Sequence, residues 1–326
     1  MAGKRPRKLN SRVETRPPLD LLDTQQSRVS VAKIPYHGWP ASYLIGNGAV
    51  EAIVVPAIGR VMQLRLARKE EGALWENRAL DGQLHVPDSD QWINFGGDKV
   101  WPAPQSAWAQ RQGHDWPPPV GFDSRPMEAA AHERKVVLTS AIDTAFGIQV
   151  IRHVELDAEL PVMRIRSEFC KVAGSPVRVS VWTVTQMEEP ERVFLPFCRR
   201  SKMPCGFTRM TAAEPDNLRI DDGLLSLGHH RVHCTKIGMD ATSMAWVGRD
   251  LVVRVDAEAG PGEYPDGGCI TQIYTSPNPL AYVELETLGP LTTMSSGDRI
   301  ERTATYTILP RAVPDPEDEA RKILFP

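Results

Sequence analysis

In AYVELETLGPL, starting at Ala281, Glu284 and Glu286 alternate with apolar residues. On a strand both carboxylates therefore project from one side, about 7 Å apart. Like charges that close, partly shielded from water, raise at least one pKa, and a carboxyl titrating near neutrality can act as general base or acid. A solvated acidic outer face is the other reading of the same pattern. A second chemistry-bearing stretch, QWINFGGDKVWPAPQSAW from Gln91 to Trp108, packs charge, glycine, proline and tryptophan together. Gly96 and Gly97 open backbone conformations closed to other residues, and Pro102 and Pro104 fix the exit path. Indole faces such as Trp101 can cover the C–H side of a sugar ring while Asn94, Asp98, Lys99 and Gln105 hydrogen-bond its hydroxyls. A structural loop closing one end of a sheet would have the same composition.

Further candidates are weaker. VRVSVWTVTQ places Trp182 and Gln186 on one strand face, suited to cradling a ring, although a tryptophan in a sheet is more often core. His229, His230 and His233 sit in a glycine-bounded stretch with no clear proton-shuttle geometry, and His153 reads as a surface strand residue. The five cysteines, Cys170, Cys198, Cys205, Cys234 and Cys269, contain no CxxC pair, which favours reduced structural thiols and no metal site.

The elements that must position these groups are strands. In VMQLRL, Met62, Leu64 and Leu66 alternate with Gln63 and Arg65, and similar period-two signals recur around Met163–Phe169, Val177–Val181 and Tyr282–Leu288. Helical periodicity is confined to Leu19–Gln26 and Asp315–Leu324. The expectation is an all-β body of antiparallel strands: a basic tail over 1–26, one domain over 27–311 and a short, helical C-terminal tail over 312–326. The polar segment Ser201–Asp222 and the prolines Pro117–Pro119 read as excursions from the sheets.

Composition excludes several classes. With 41% hydrophobic residues over 326 positions the chain can bury a full core, and a net charge of −3 gives no reason to expect nucleic acid. The basic tail carries Lys4, Arg5, Arg7, Lys8, Arg12 and Arg16 without a following apolar run, so neither a secretory signal nor a membrane span is expected and the cytoplasm is the default location. No GxGxxG, GxxxxGK[ST] or GxSxG motif is present, so no nucleotide cofactor and no serine nucleophile is expected.

The ordered set NFGGDKVWPAPQ, VSVWTVTQ, KIG at Lys236, YPDGGCITQIYT and YVELETLGPLTTMSSGDRIERTATYTIL resembles an uncharacterised bacterial family of the galactose mutarotase-like superfamily, over roughly Tyr43 to Leu309. The resemblance implies a β-supersandwich, two large antiparallel sheets face to face with a sugar-sized concave groove. In aldose 1-epimerases a LET segment carries the general base; here LET is Leu285, Glu286 and Thr287, so Glu286 takes that role. The resemblance also brings Lys236 and Asp266 among the substrate-binding residues, with Asn94, Trp101, Gln105, Trp182, Gln186 and Glu284. The epimerases' general-acid histidine is missing, since Trp182–Gln186 stands in its place, and Asp98 or Lys99 is left as the polar partner. The implied function is a carbohydrate-active protein, an epimerase-like isomerase acting on a small-molecule aldose. A sensing module that has lost the acid is the alternative, and a hydrolase or lyase using Glu284 with Glu286 a third.

Overall fold

The computed structural model describes Met1 and residues 29–85, 91–197, 201–211 and 217–326. The basic tail, the helix expected over Leu19–Gln26 and Cys198 lie outside the described residues. The rest forms two antiparallel sheets of eleven and ten strands packed face to face: the all-β body expected from period-two patterning, in the sandwich that the resemblance implied.

In the first sheet six neighbouring strands run in the order Arg60–Leu66, Asp98–Ala103, Val177–Met187, Val283–Leu288, Thr271–Thr275 and Thr235–Met239. Their inner faces contribute Val100, Val181, Ile273 and Leu285 to the main core, opposite Met163, Ile165, Val253 and Val255 of the second sheet. The outer face of the second sheet is covered by the helix Pro316–Leu324, whose Ala320, Ile323 and Leu324 pack on Phe194, Ala245, Val247 and Val252. Asp315 caps this helix, accepting hydrogen bonds from the amides of Glu317 and Asp318.

One strand departs from simple alternation. The pairing of Val50–Val55 with Arg60–Leu66 shifts register between Ile53 and Val54. This bulge turns Met62 away from the inter-sheet core that Val61 and Leu64 enter, and Met62 instead joins Tyr36, Trp39 and Phe95. The entry to the Asp98 strand depends on glycine. Gly96 has φ +94°, and a Cβ there would lie 2.3 Å from the Trp75 carbonyl oxygen. That close approach lets the Gly97 amide donate to the same carbonyl at 2.9 Å and fixes where Lys99 emerges.

Candidate functional site

Strand pairing arranges the expected residues on a grid. Lys99 is the cross-strand partner of Val184, Val184 of Glu286, and Glu286 of Gln272. The next row on the same face joins Gln186, Glu284, Tyr274 and Lys236, and the row on the other side joins Trp101, Trp182 and Leu288. Because side chains alternate between faces, all of these leave the sheet on its outer side, away from the second sheet. Lys99 and Glu286 are two strand spacings apart, about 10 Å between Cα atoms. Val184 stands between them on the same face.

Glu286 is fully buried. Its Oε2 accepts from Trp182 Nε1 at 2.8 Å and lies 2.9 Å from Lys236 Nζ, while Oε1 has no protein partner. Burial pushes the carboxyl up to about 7, against the downward pull of Lys236 and with a further upward push from Glu284. Lys99 is equally buried, and its ammonium has no hydrogen-bond partner: Glu284 Oε1 is 3.6 Å away and the Trp101 ring centroid 5.0 Å. Burial lowers it to about 8, partly opposed by Glu284. Gln186 donates from Nε2 to Glu284 Oε1 at 3.0 Å and leaves its Oε1 unpartnered. Gln272, not anticipated from the sequence, likewise has a buried, unpartnered Oε1, while its Nε2 donates to Asp266 Oδ2 at 2.7 Å. A buried polar atom without a partner carries a desolvation cost of about 1–3 kcal/mol. Four such atoms, on Lys99, Gln186, Gln272 and Glu286, share one face. A polar ligand would satisfy them.

The aromatic residues line this face more tightly than a set of open platforms would. Trp101 is only 3% exposed, donates from Nε1 to Asp123 Oδ1 at 2.9 Å and packs edge-on against Trp108, Trp116 and Trp182. One side of the Trp182 ring is occupied by Lys236 Nζ, 4.5 Å from its centroid. Asp123 is held in turn by Arg60 at 3.0 Å; neither residue was singled out in the sequence, where nothing links positions so far apart.

Two expected residues fall elsewhere. Asp98 does not share the face of Lys99, because neighbours on a strand must point to opposite sides. It lies between the sheets, ion-paired with Arg152 and accepting from Thr185 Oγ1 at 2.7 Å and Tyr306 Oη at 3.0 Å. Asp98 is thus a buried structural anchor and not the polar partner of Glu286. Gln105 is exposed on the turn Gln105–Ala107, its Nε2 directed to the Asp115 carbonyl at 3.4 Å, and is not brought to the site. Asn94 is buried with its amide beside the Tyr282 hydroxyl, at the Glu284 end of the face. His229 bridges Glu189 and the Ser276 carbonyl, a structural tie. Among the described residues no group of three or more His, Cys, Asp or Glu side chains is placed to hold a metal ion. No helix among them is long and apolar enough to cross a membrane.

Residues 42–243 match the model of a family described as a domain of unknown function, DUF4380. The chain belongs to this family. No curated protein matches it in sequence. Solved structures that share the fold include a galactose mutarotase-like protein from Lactobacillus casei (TM-score 0.53, 10% identity, covering 82% of this chain and 100% of that one). Another is a galactose mutarotase-like protein from Clostridium acetobutylicum (TM-score 0.54, 9% identity, 86% and 99% covered). A third is a galactose mutarotase related enzyme from Lactobacillus acidophilus (TM-score 0.50, 9% identity, 82% and 97% covered). The DUF4380 chain therefore shares the all-β sandwich fold of these proteins, the fold that the sequence resemblance implied.

Proposed function

We propose that this protein binds a neutral aldose on the outer face of the first sheet and interconverts its anomers, with Glu286 as general base and Lys99 as general acid. The observation that carries the reading is the convergence of the four unpartnered buried polar atoms on Lys99, Gln186, Gln272 and Glu286. Charge supports a neutral sugar, since Lys99 and Lys236 are matched by Glu284 and Glu286, leaving no surplus for an anionic group. In the proposed step Glu286 removes the proton of the anomeric hydroxyl, the C1–ring-oxygen bond breaks, and Lys99 delivers a proton to the departing ring oxygen. The open-chain aldehyde rotates about C1–C2 and closes by the reverse transfers. Lys99 would stand in for the histidine that aldose 1-epimerases use.

A second reading is supported by one contact: Lys236, at 2.9 Å from Glu286, competes for the base and suits a protein that binds a sugar without turning it over. Anomer exchange followed by NMR over a panel of aldoses tests both. Exchange above the spontaneous rate, abolished by Glu286→Gln with sugar binding retained, is expected. Sugar binding without exchange would establish the binding protein, and absence of binding would refute both.

A further inference from the structure

Beside the row of acid and base lies a cleft of about 810 Å³ that contains neither Lys99 nor Glu286. One wall comes from Pro104 and Ser106, which follow the Trp101 strand, and the other from the glycine-rich loop that includes Glu263 and Asp266. Asp266 connects the cleft to the site. Its Oδ2 accepts from Gln272, the cross-strand partner of Glu286, and its backbone holds φ +53°, an uncommon conformation for a residue with a side chain. Gly267 and Gly268, both also at positive φ, continue the turn and keep the cleft wall free of side chains. The charged groups facing the cleft are Asp240, Glu263 and Asp266 against Lys202, with Glu263 ion-paired to Arg178 at 2.6 Å. That leaves Asp240 and Asp266 against Lys202, a lining without the cationic surplus that a phosphate needs and suited to hydroxyl donors.

We infer that the cleft is a second sugar subsite, so that the protein acts on the reducing end of a disaccharide or longer neutral oligosaccharide. The inference rests on the aldose reading above. Anomer exchange needs a free anomeric hydroxyl over Glu286, so the remainder of the chain leaves through another ring hydroxyl, and Asp266, which holds Gln272 and lines the cleft, points to the cleft as its place. The volume exceeds what one ring fills, and pockets for drug-sized ligands span about 300–1,000 Å³.

Calorimetric titration of the full chain with matched pairs tests this: glucose against maltose and cellobiose, galactose against galactobiose, xylose against xylobiose. For the preferred pair the disaccharide should bind roughly tenfold more tightly than its reducing-end monosaccharide. Ser106→Trp and Glu263→Trp, exposed positions on opposite walls, should each remove that advantage while leaving monosaccharide binding unchanged. Monosaccharide binding with no gain for any disaccharide, or a gain that survives both substitutions, would overturn the subsite and leave the aldose reading standing. Failure of every sugar of either size to bind would overturn both.

Discussion

Replacing Glu286 by Gln changes how stability depends on pH, and the size of the change follows from the site. In the folded protein burial lifts this carboxyl from the ordinary 4.5 to about 7. Between those values the folded state holds a proton that the unfolded chain releases. Stability conferred by the neutral carboxyl is therefore fully present below 4.5 and is lost as pH rises through about 7. Each pKa unit corresponds to ~1.4 kcal/mol, so the loss across the window is about 3 kcal/mol, a large share of a typical 5–15 kcal/mol. The amide does not titrate. Urea unfolding of both proteins at about pH 4.5 and about pH 8 should show the variant gaining about 3 kcal/mol on the wild type between the two conditions. Other raised carboxyls, such as Glu188 at about 7, titrate in both proteins and cancel in the difference. Parallel stability profiles would refute the claim that Glu286 is a buried, near-neutral acid, and with it the chemical basis for its role as a base.

Three further outcomes can be measured. Asp98→Asn should cost about 3–5 kcal/mol in urea unfolding, because it strands the fully buried Arg152, while sugar affinity of the folded protein stays the same. Trp101→Ala should cost about 3–5 kcal/mol, as expected for emptying the volume of an enclosed indole; a loss of binding with unchanged stability would make Trp101 a ligand platform instead. If anomer exchange is found, its rate should rise with pH through about 7 as Glu286 ionises and fall through about 8 as Lys99 loses its proton, and Lys99→Met should remove the alkaline limb with the activity.

The sequence carried the strands and the face-sharing of Tyr282, Glu284 and Glu286, because period two is a property of local backbone geometry. The same rule, applied to Asp98 and Lys99, separates them, but the flanking glycines and prolines mask the strand: Asp98–Ala103 is a strand with both faces buried. Gln272 could have been found in the same way, since it alternates with Ile273 next to a glycine turn. Arg60 and Asp123 could not. Their pairing depends on a short helix, Val120–Asp123, folding back against the Asp98 strand, a contact that no local pattern encodes. The bulge that turns Met62 outward is equally silent in composition.

The two sides of one strand also show how the fold treats buried charge, and the contrast separates scaffold from site. Toward the second sheet, Asp98 meets Arg152, Thr185 and Tyr306, so its charge is compensated by an ion pair and two hydroxyls. One residue later, toward the outer face, Lys99 is just as deeply buried, with Glu284 3.6 Å away but no hydrogen bond, and burial lowers its pKa to about 8. Burial of a charge is tolerated when it is paired and hydrogen-bonded, and costs several kcal/mol when it is not. A methionine at position 99 would fill similar space but leave Glu284 without its cation, so the ammonium answers a charge on the same face and still lacks a hydrogen-bond acceptor. The deficit makes sense if the missing partner arrives with the ligand. The same reasoning extends to the unpartnered oxygens of Gln186, Gln272 and Glu286, which lie on the same face of the sheet as Lys99.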